Sequence, residues 1–495
     1  MGIVRKQSIL SSIYIYIGFA IGAFNILFLF PRYFTTEQIG LTRILLDVAL
    51  LFSTLCTLGS ISITLKFYPF YKTYLPEKKN DLPFLTIALC ITGCMLLLIA
   101  VPLLKPWILR KFGSRSPLFI DYFDLIYPFT ITLTFFSLFE AYAWSLKKTV
   151  LSNALKEFAF RLLTTILIVL FILGILSFSG FIHLYSWVFL VPVLIFLFAI
   201  IRERELPMNL TFSTLTKRIK GKLFSFGGFL FAGAMLNIIA RTNDTIILAS
   251  QSTGGLSDAA VFTIATYLVT VMEVPQRSLV SITTPFISEA WRSRNLEKID
   301  RLYKKTALNL MISGLAIFGV IMLNINDIIH FLGPAYSALA GLVLISGVAK
   351  LIDLSTGLNT QVLLLSKYWK LDFFTNMLLV ALSIPLNYWL TKKYNIMGPA
   401  YGNLVALSMF NLVRFVFIYK LFRFQPFTVH NARAMLIALL VFAGVWYLPS
   451  TSSIFLNIFI KSVIFLGIYG WLILTFKVSE DISELFVIIK SRFNW

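Results

Sequence analysis

Charge is scarce in this chain. Only 13% of its 495 residues are Asp, Glu, Lys or Arg, whereas 58% are hydrophobic, and the mean hydropathy is +0.85. The helices of a soluble protein each need a polar face toward water, and this composition supplies too few polar residues for that. The composition therefore excludes an ordinary water-soluble fold and indicates a membrane protein.

Cysteine and histidine are scarce as well. Cys56, Cys90 and Cys94 all lie inside apolar runs, and the three histidines are far apart in the sequence. Neither a disulfide framework nor a metal cluster is predicted from this distribution. The sequence also lacks a glycine-rich phosphate loop ending in Lys-Ser/Thr, the mark of one large class of ATP-binding proteins. We therefore expect no cofactor.

Long apolar runs are what the sequence has in abundance. Fourteen of them have about the 20 residues that a helix needs to cross the hydrocarbon core of a bilayer. The predicted spans are residues 9–30, 43–66, 84–104, 121–145, 157–178, 182–201, 224–250, 258–283, 306–330, 336–365, 371–391, 398–420, 433–449 and 455–476. The predicted fold is an all-α integral membrane protein with about fourteen transmembrane helices.

The formal net charge of the chain is +21. In a soluble protein such an excess would suggest nucleic acid, but here the Lys and Arg residues lie mainly in short loops between apolar runs. Anionic lipid headgroups are the expected counter-charge, and no nucleic-acid partner is predicted. Most of these cations fall in loops that are cytoplasmic if the N-terminus is, so the positive-inside rule predicts that both termini are cytoplasmic.

The longest polar connection separates the first twelve spans into two sets of six. It covers residues 202–223, where Leu215, Ile219 and Leu223 recur every fourth residue and basic residues fill the other faces. This pattern predicts an amphipathic helix on the inner membrane surface; a solvated linker is the alternative. The predicted organisation is an N-terminal lobe at 1–201, the linker at 202–223, a C-terminal lobe at 224–420, spans thirteen and fourteen at 433–476, and a second cytoplasmic amphipathic segment at 477–495.

Three stretches of the chain are similar to one family. Residues 30–41 (FPRYFTTEQIGL) resemble the corner between spans one and two of bacterial polysaccharide-biosynthesis flippases, members of the multidrug/oligosaccharidyl-lipid/polysaccharide exporter superfamily. Residues 272–275 (MEVP) and 285–288 (PFIS) resemble span eight of that superfamily, including its lipid II flippase branch. Residues 395–402 (NIMGPAYG) resemble the beginning of span twelve. The stretches are degenerate, so they indicate the superfamily and leave the substrate open.

The resemblance implies two six-helix lobes around a central cavity that opens alternately to either side of a bacterial cytoplasmic membrane. Family members move isoprenoid-pyrophosphate-linked oligosaccharides from the inner to the outer leaflet. The implied partners are a lipid-linked saccharide, membrane lipids and, for coupling, Na+ or H+. Spans thirteen and fourteen lie outside the two lobes, and in the lipid II branch such helices form a groove for the lipid tail, which is an analogy here.

One position departs from the family pattern. Lipid II flippases carry an arginine just before the Met-Glu-x-Pro sequence, where this chain has Thr270, and Arg277 lies about two helical turns further on. We therefore expect either that the substrate contact has moved or that the substrate differs.

Charged residues inside the predicted spans are the candidate site, because one such residue at the bilayer centre costs about 2.5–3.5 kcal/mol on insertion scales. Five pairs are spaced three or four residues apart and so share a helix face. They are Arg43 with Asp47, Glu157 with Arg161, Arg241 with Asp244, Glu273 with Arg277, and Lys350 with Asp353. Glu140 and Arg414 have no such neighbour, so each needs a partner on another helix.

These charges have two interpretations. In the first, they line a polar cavity whose cations bind a pyrophosphate while the acids neutralise the empty site. In the second, same-helix pairs only lower the cost of insertion. The predicted substrate-binding residues are Arg43, Asp47, Arg161, Arg241, Asp244, Glu273, Arg277, Lys350 and Asp353.

We predict a lipid-linked oligosaccharide flippase and no enzyme activity. The nearest alternative is a drug/cation antiporter of the same superfamily, which typically uses a carboxylate in its first span; residues 9–30 contain none, and Asn25 is their most polar side chain. A membrane glycan polymerase or glycosyltransferase is a further alternative. Such an enzyme would need a sizeable outer loop or a catalytic acidic motif, and neither is evident in the sequence.

Overall fold

In the computed structural model, the elements of the described chain are all helical. The structure describes residues 2–76, 79–203, 209–449, 451 and 453–484, and no strand occurs among them. The α-helices are α1 (Gly2–Phe24), α2 (Phe30–Tyr33), α3 (Thr36–Cys56), α4 (Ser60–Tyr74), α5 (Leu82–Phe112), α6 (Pro117–Asp121), α7 (Ile126–Ser145), α8 (Thr149–Asn153), α9 (Phe160–Ile172), α10 (Phe178–Ser186), α11 (Leu190–Arg202), α12 (Thr214–Gln251), α13 (Gly255–Thr270), α14 (Val274–Arg292), α15 (Leu296–Leu323), α16 (Ile325–Leu332), α17 (Leu339–Ser355), α18 (Asn359–Leu364), α19 (Lys370–Tyr394), α20 (Gly398–Phe422), α21 (Val429–Trp446) and α22 (Ile454–Thr475). The predicted all-α membrane fold is confirmed.

Twelve helical segments of the described residues are long and apolar enough to cross a membrane, so the protein is multi-pass, but the predicted count of fourteen is not confirmed. Two differences explain the discrepancy. The predicted spans 371–391 and 398–420 belong to one helical run, Lys370–Phe422, interrupted only by a short turn. The predicted span 157–178 is not among the twelve, because its helix ends at Ile172 and carries Lys156, Glu157 and Arg161, which leave too short an apolar stretch.

The chain forms two compact units, Met1–Ala260 and Val261–Trp495, and the boundary falls inside α13. In the first unit α12 packs on α3, α4 and α5. Residues 214–223, which the sequence assigns to a linker, form the first turns of α12; Thr216 and Leu223 are buried there, and the basic side chains between them are exposed or half-buried. The predicted lobes are a different division of the chain and stay a prediction, and residues 485–495 of the predicted amphipathic tail lie outside the described residues.

In the first unit, the family-like sequence at 30–41 contains a helix N-cap and a glycine at a close contact between helices. Thr35 and Gln38 form a capping box, in which each side chain accepts a hydrogen bond from the other residue's main-chain N–H, and this starts α3. Gly40 lies where a helix of the same unit approaches closely: a methyl group there would come within 1.9 Å of the main-chain oxygen of Leu256. A cap and a glycine contact thus account for the pattern without any role in substrate binding.

In the second unit, the family-like sequence at 395–402 turns the chain between α19 and α20. Gly398 and Gly402 let the two helices touch, because a methyl group at Gly402 would lie 1.9 Å from the side-chain oxygen of Asn387. On another side of this unit, α21 and α22 pack on α15 around the fully buried Phe465, whose ring fills the space beside Gly319. The helix α15 in turn packs on α14 and α17, which together with α20 carry most of the candidate site.

Candidate functional site

The membrane segment Gly255–Arg292 is broken near its middle. After α13 ends at Thr270, a single 3₁₀ turn covers Val271–Glu273, and α14 begins at Val274 with Pro275 in its first turn. Proline suits that position, because a first-turn residue has no helical acceptor for its N–H. The sequence MEVP therefore ends one helix and starts the next. Glu273 is left at the N-terminal end of α14, where the helix dipole favours a negative charge.

Glu273 binds two cations from two helices. Lys350 of α17 donates to Oε1 over 2.8 Å, and Arg277 of α14 donates to Oε2 over 3.3 Å. The side chain of Arg277 is 63% exposed, whereas that of Lys350 is 17% exposed. The predicted Glu273–Arg277 pair therefore forms, and it gains a second cation that lies far away in the sequence.

Lys350 joins two of the predicted pairs into one site. Its ammonium group also lies 3.2 Å from Oδ2 of Asp353, one helical turn along α17. In space the charges follow the order Arg277, Glu273, Lys350, Asp353, so that signs alternate and each inner charge has two opposite neighbours. This alternation offsets part of the cost of taking the charges out of water. We refer to these four residues as the Lys350 cluster.

A chain of amide side chains leads from the Lys350 cluster to a second buried cation. Asn411 of α20 donates from Nδ2 to Oδ1 of Asp353 over 3.2 Å. Asn359 donates to Oδ1 of Asn411 over 2.8 Å, and Arg414 donates to Oδ1 of Asn359 over 3.3 Å. The two asparagines are nearly inaccessible to solvent. The candidate site thus continues into the core of the second unit.

Arg414 is the largest fully buried side chain among the described residues. Its guanidinium group donates to Asp372 of α19 over 2.5 Å and to Thr375 over 3.0 Å, and it also contacts Thr360. The ring of Phe410 lies 4.0 Å below the guanidinium carbon. The expectation that Arg414 needs a partner on another helix is confirmed.

Glu140 in the first unit meets the same expectation. Its carboxylate accepts a hydrogen bond from Ser152 over 2.9 Å and lies 3.2 Å from the ammonium group of Lys156, both outside its own helix α7. Both charges without a same-helix neighbour are therefore paired across elements.

Sequence reasoning missed Asp372, Asn359 and Asn411 as members of the network. For Asp372 the sequence does contain a signal. Asp372 is an acid at the start of a predicted span and has no cation three or four residues along its helix, and Arg414 is likewise a cation that has no acid at that spacing. Pairing the two leftover charges would have found the contact. Nothing in the sequence distinguishes Asn359 or Asn411 from other polar residues in spans.

The first unit carries the other predicted site residues. Arg43 donates to Oδ2 of the buried Asp47 over 2.8 Å, and Thr245 of α12 donates to the same oxygen. Arg161 and Glu157 form their predicted pair at 2.8 Å. Arg241 is exposed, and Oδ1 of Asp244 accepts a hydrogen bond from Asn243 over 3.2 Å. Among the described residues, these ion pairs and hydrogen bonds do not join the Arg43–Asp47 pair to the Arg161–Glu157 pair.

Metal ligands do not gather anywhere in the described ranges, where no group of three or more His, Cys, Asp or Glu residues could hold a metal ion. The three cysteines are buried and free, and Sγ of Cys90 lies 3.1 Å from the hydroxyl of Ser60.

An apolar cavity of about 700 Å³ lies among α15, α17, α21 and α22 of the second unit. Its walls include Met311, Phe318, Leu351, Met435, Phe442 and Trp446. Methionine and aromatic side chains of this kind adapt to irregular apolar guests through many weak dispersion contacts. The cavity suits a hydrocarbon chain better than a polar solute.

No protein-family model and no curated protein matches the chain. Solved structures do match, at low sequence identity. The chain is similar to a lipid II flippase, MurJ, in an inward closed conformation, with 15% identity, a TM-score of 0.74, and coverage of 93% of this chain and 97% of that one.

Two transporters are similar as well. One is an inward-facing multidrug resistance transporter of the MATE family in the MOP superfamily, with 14% identity, a TM-score of 0.62, and coverage of 81% and 94% of the two chains. The other is a mutant of the MATE transporter VcmN from Vibrio cholerae, with 16% identity, a TM-score of 0.52, and coverage of 85% and 97%. At these identities the likeness shows the fold that the chain shares with them.

Proposed function

We propose that the protein is a flippase of the MOP exporter superfamily, which moves a saccharide linked to an isoprenoid pyrophosphate from the inner to the outer leaflet of a bacterial cytoplasmic membrane by alternating access. The observation that supports this most is the Lys350 cluster. It places two cations on one carboxylate at a break in a membrane helix, and one of the cations, Arg277, is largely exposed.

The chemistry of the cluster suits a diphosphate. An arginine fork binds two phosphate oxygens at once, and a lysine ammonium adds a compact point charge beside it. Glu273 neutralises both cations while the site is empty, so that the protein does not carry an uncompensated charge through the membrane. A short 3₁₀ stretch inside a long helix often marks a functional hinge.

The apolar cavity among α15, α17, α21 and α22 supports the lipid half of the proposed substrate. Its volume of about 700 Å³ accommodates several isoprene units of a longer chain, whose remainder stays in the bilayer. Among the structurally similar proteins, one is a lipid II flippase and two are MATE transporters, one of them a multidrug resistance transporter. We favour the flippase because an apolar cavity and a candidate diphosphate site in the same unit match an amphiphile with a charged head.

An inside-negative membrane potential drives an anionic headgroup outward, by about 2.3 kcal/mol per elementary charge per 100 mV. Exchange with Na+ or H+ is the alternative source of free energy. Both fit a chain whose sequence has no phosphate loop for ATP.

The test of the proposed function uses the native host with the gene deleted. We expect the lipid-linked glycan to accumulate on the cytoplasmic leaflet, and the wild-type gene to restore export. Arg277→Ala should abolish export at matched membrane abundance, and Arg277→Lys should retain part of it, because lysine keeps the charge and loses the fork. Arg301→Ala is the matched control: Arg301 also forms an exposed i,i+4 pair, with Glu297 at 3.0 Å, outside the cluster.

Joint removal of both charges separates substrate binding from a structural pair. Glu273→Gln combined with Arg277→Gln leaves neither charge without its partner, and Lys350 keeps Asp353, so a purely structural pair would recover both abundance and export. Export at the wild-type level by Arg277→Ala or by this double variant would refute the substrate contact. Accumulation of cationic drugs in the deletion strain, without any trapped glycan, would instead establish the antiporter alternative.

A further inference from the structure

The two acids that hold Lys350 are supported very differently. Glu273 lies at a helix break, and its second oxygen contacts only the exposed Arg277 among the ion pairs and hydrogen bonds of the described residues. Asp353 lies within α17, and its second oxygen accepts the hydrogen bond from the buried Asn411. One acid therefore faces an exposed cation, whereas the other is held by a buried side chain of the unit.

The orientation of Asn411 follows from its neighbours. Its side-chain oxygen accepts from the hydroxyl of Thr356 over 2.9 Å and from the amide of Asn359 over 2.8 Å. The amide of Asn359 must be the donor, because its own side-chain oxygen accepts from Arg414, which has only donors. The amide nitrogen of Asn411 also donates to the main-chain oxygen of Leu407 over 3.0 Å, so the nitrogen faces Asp353 and the oxygen faces Asn359. The side-chain oxygen of Asn359 in turn accepts from Arg414. Every hydrogen bond in the chain from Arg414 to Asp353 thus points the same way, and each polarises the next toward the carboxylate.

We propose that Asn411 is a positioning residue for Lys350: it fixes Asp353 as the permanent partner of Lys350 and so leaves Glu273 as the partner that an incoming diphosphate displaces. The inference rests on the proposed function, since it assigns roles within the proposed diphosphate site. In the empty site Lys350 is shared between the two acids. When the diphosphate binds Lys350 and Arg277, Glu273 gives up both cations and Asp353 keeps the ammonium group in place.

The proposal predicts opposite effects for the two acids. Glu273 competes with the diphosphate for the same two cations, so Glu273→Gln should tighten binding, by at least about fivefold, the effect of one unit charge removed about 4 Å from the ligand at the dielectric constant of bulk water. Asp353 holds Lys350 for the ligand, so Asp353→Asn should weaken binding although it also removes a negative charge. A site that responds only to net charge would tighten in both variants.

The experiment measures binding of inorganic diphosphate to the purified full-length protein by isothermal titration calorimetry. Asn411→Asp keeps the shape of the side chain, removes the donor to Asp353 and adds a competing acid for Lys350; we expect binding to weaken by about tenfold. Asn376→Asp is the matched control. Asn376 also donates to a carboxylate of this unit, Asp372 at 3.2 Å, but lies on α19 away from Lys350. Its diphosphate affinity should stay within about twofold of wild type.

A double mutant separates positioning from a general loss of structure. If Asn411 acts through Lys350, Asn411→Leu, which removes the donor without adding a charge, should add little to the loss caused by Lys350→Met, because the two changes remove the same contribution. Independent, additive losses would overturn the proposal, as would tighter binding by Asp353→Asn or weaker binding by Glu273→Gln. Failure of the proposed function alone would give a different result. Glycan export would then not depend on Arg277, whereas the diphosphate affinities of the variants would still follow the pattern predicted above.

Discussion

Replacement of Arg414 should be among the most damaging single changes in the second unit. Arg414→Met retains much of the apolar stem and removes the guanidinium group, which is 1% exposed and donates to Asp372, Thr375 and Asn359. The carboxylate of Asp372, 14% exposed, then lacks its cation. Breaking one partner of a buried pair costs about 3–5 kcal/mol, chiefly because the other charge remains buried.

The measurement is the thermal unfolding midpoint of purified variants in one detergent. Arg301→Ala serves as the control, because the Arg301–Glu297 pair is exposed on both sides and such pairs contribute about 0–1 kcal/mol. We expect a large fall in the midpoint for Arg414→Met and almost none for Arg301→Ala. The double variant with Asp372→Asn should regain a good part of the loss, since no buried charge is then left alone. Equal midpoints for Arg414→Met and Arg301→Ala would refute the reasoning.

Three further predictions concern packing and topology. Gly40→Ala should lower the free energy of unfolding by about 1–3 kcal/mol through overpacking, because the new methyl group would lie 1.9 Å from a main-chain oxygen. Gly233→Ala is the control and should be neutral, because no atom lies within 4 Å of the added methyl group. Equal yields of folded protein for the two variants would contradict this prediction. Phe465→Ala should destabilise the contact of α22 with α15 by about 3–5 kcal/mol, whereas replacement of the exposed Phe455 by Ala should not. If Phe465→Ala lowered the unfolding midpoint no more than Phe455→Ala, α22 would not be packed as described. Reporter fusions after Trp495 should be active only with a cytoplasmic reporter, and activity of a periplasmic reporter there would reveal an odd number of spans.

The membrane-spanning helices and the same-helix ion pairs could be predicted from the sequence because both depend on neighbours in the chain. A run of apolar residues has few alternatives to a membrane helix. An acid and a base four positions apart lie on one face of any helix, so the pairs of Arg43 with Asp47 and of Glu273 with Arg277 follow from spacing alone. The motif at residues 272–275 also places Glu273 at a helix break, because proline favours the first turn of a helix.

The sequence could not predict which helix faces meet, and that decided the site. Lys350 reaches Glu273, Asn411 reaches Asp353, and Arg414 reaches Asp372 only because α20 packs on both α17 and α19 and the turn before α14 lies against α17. Each contact joins residues that are dozens of positions apart, and the spacing of charges along a single helix contains no information about them. Two ion pairs that looked independent in the sequence therefore form one cluster, which the buried Asn411 contacts. The physical reason is the cost of leaving a charge unpaired away from water, which favours a packing that brings opposite charges together.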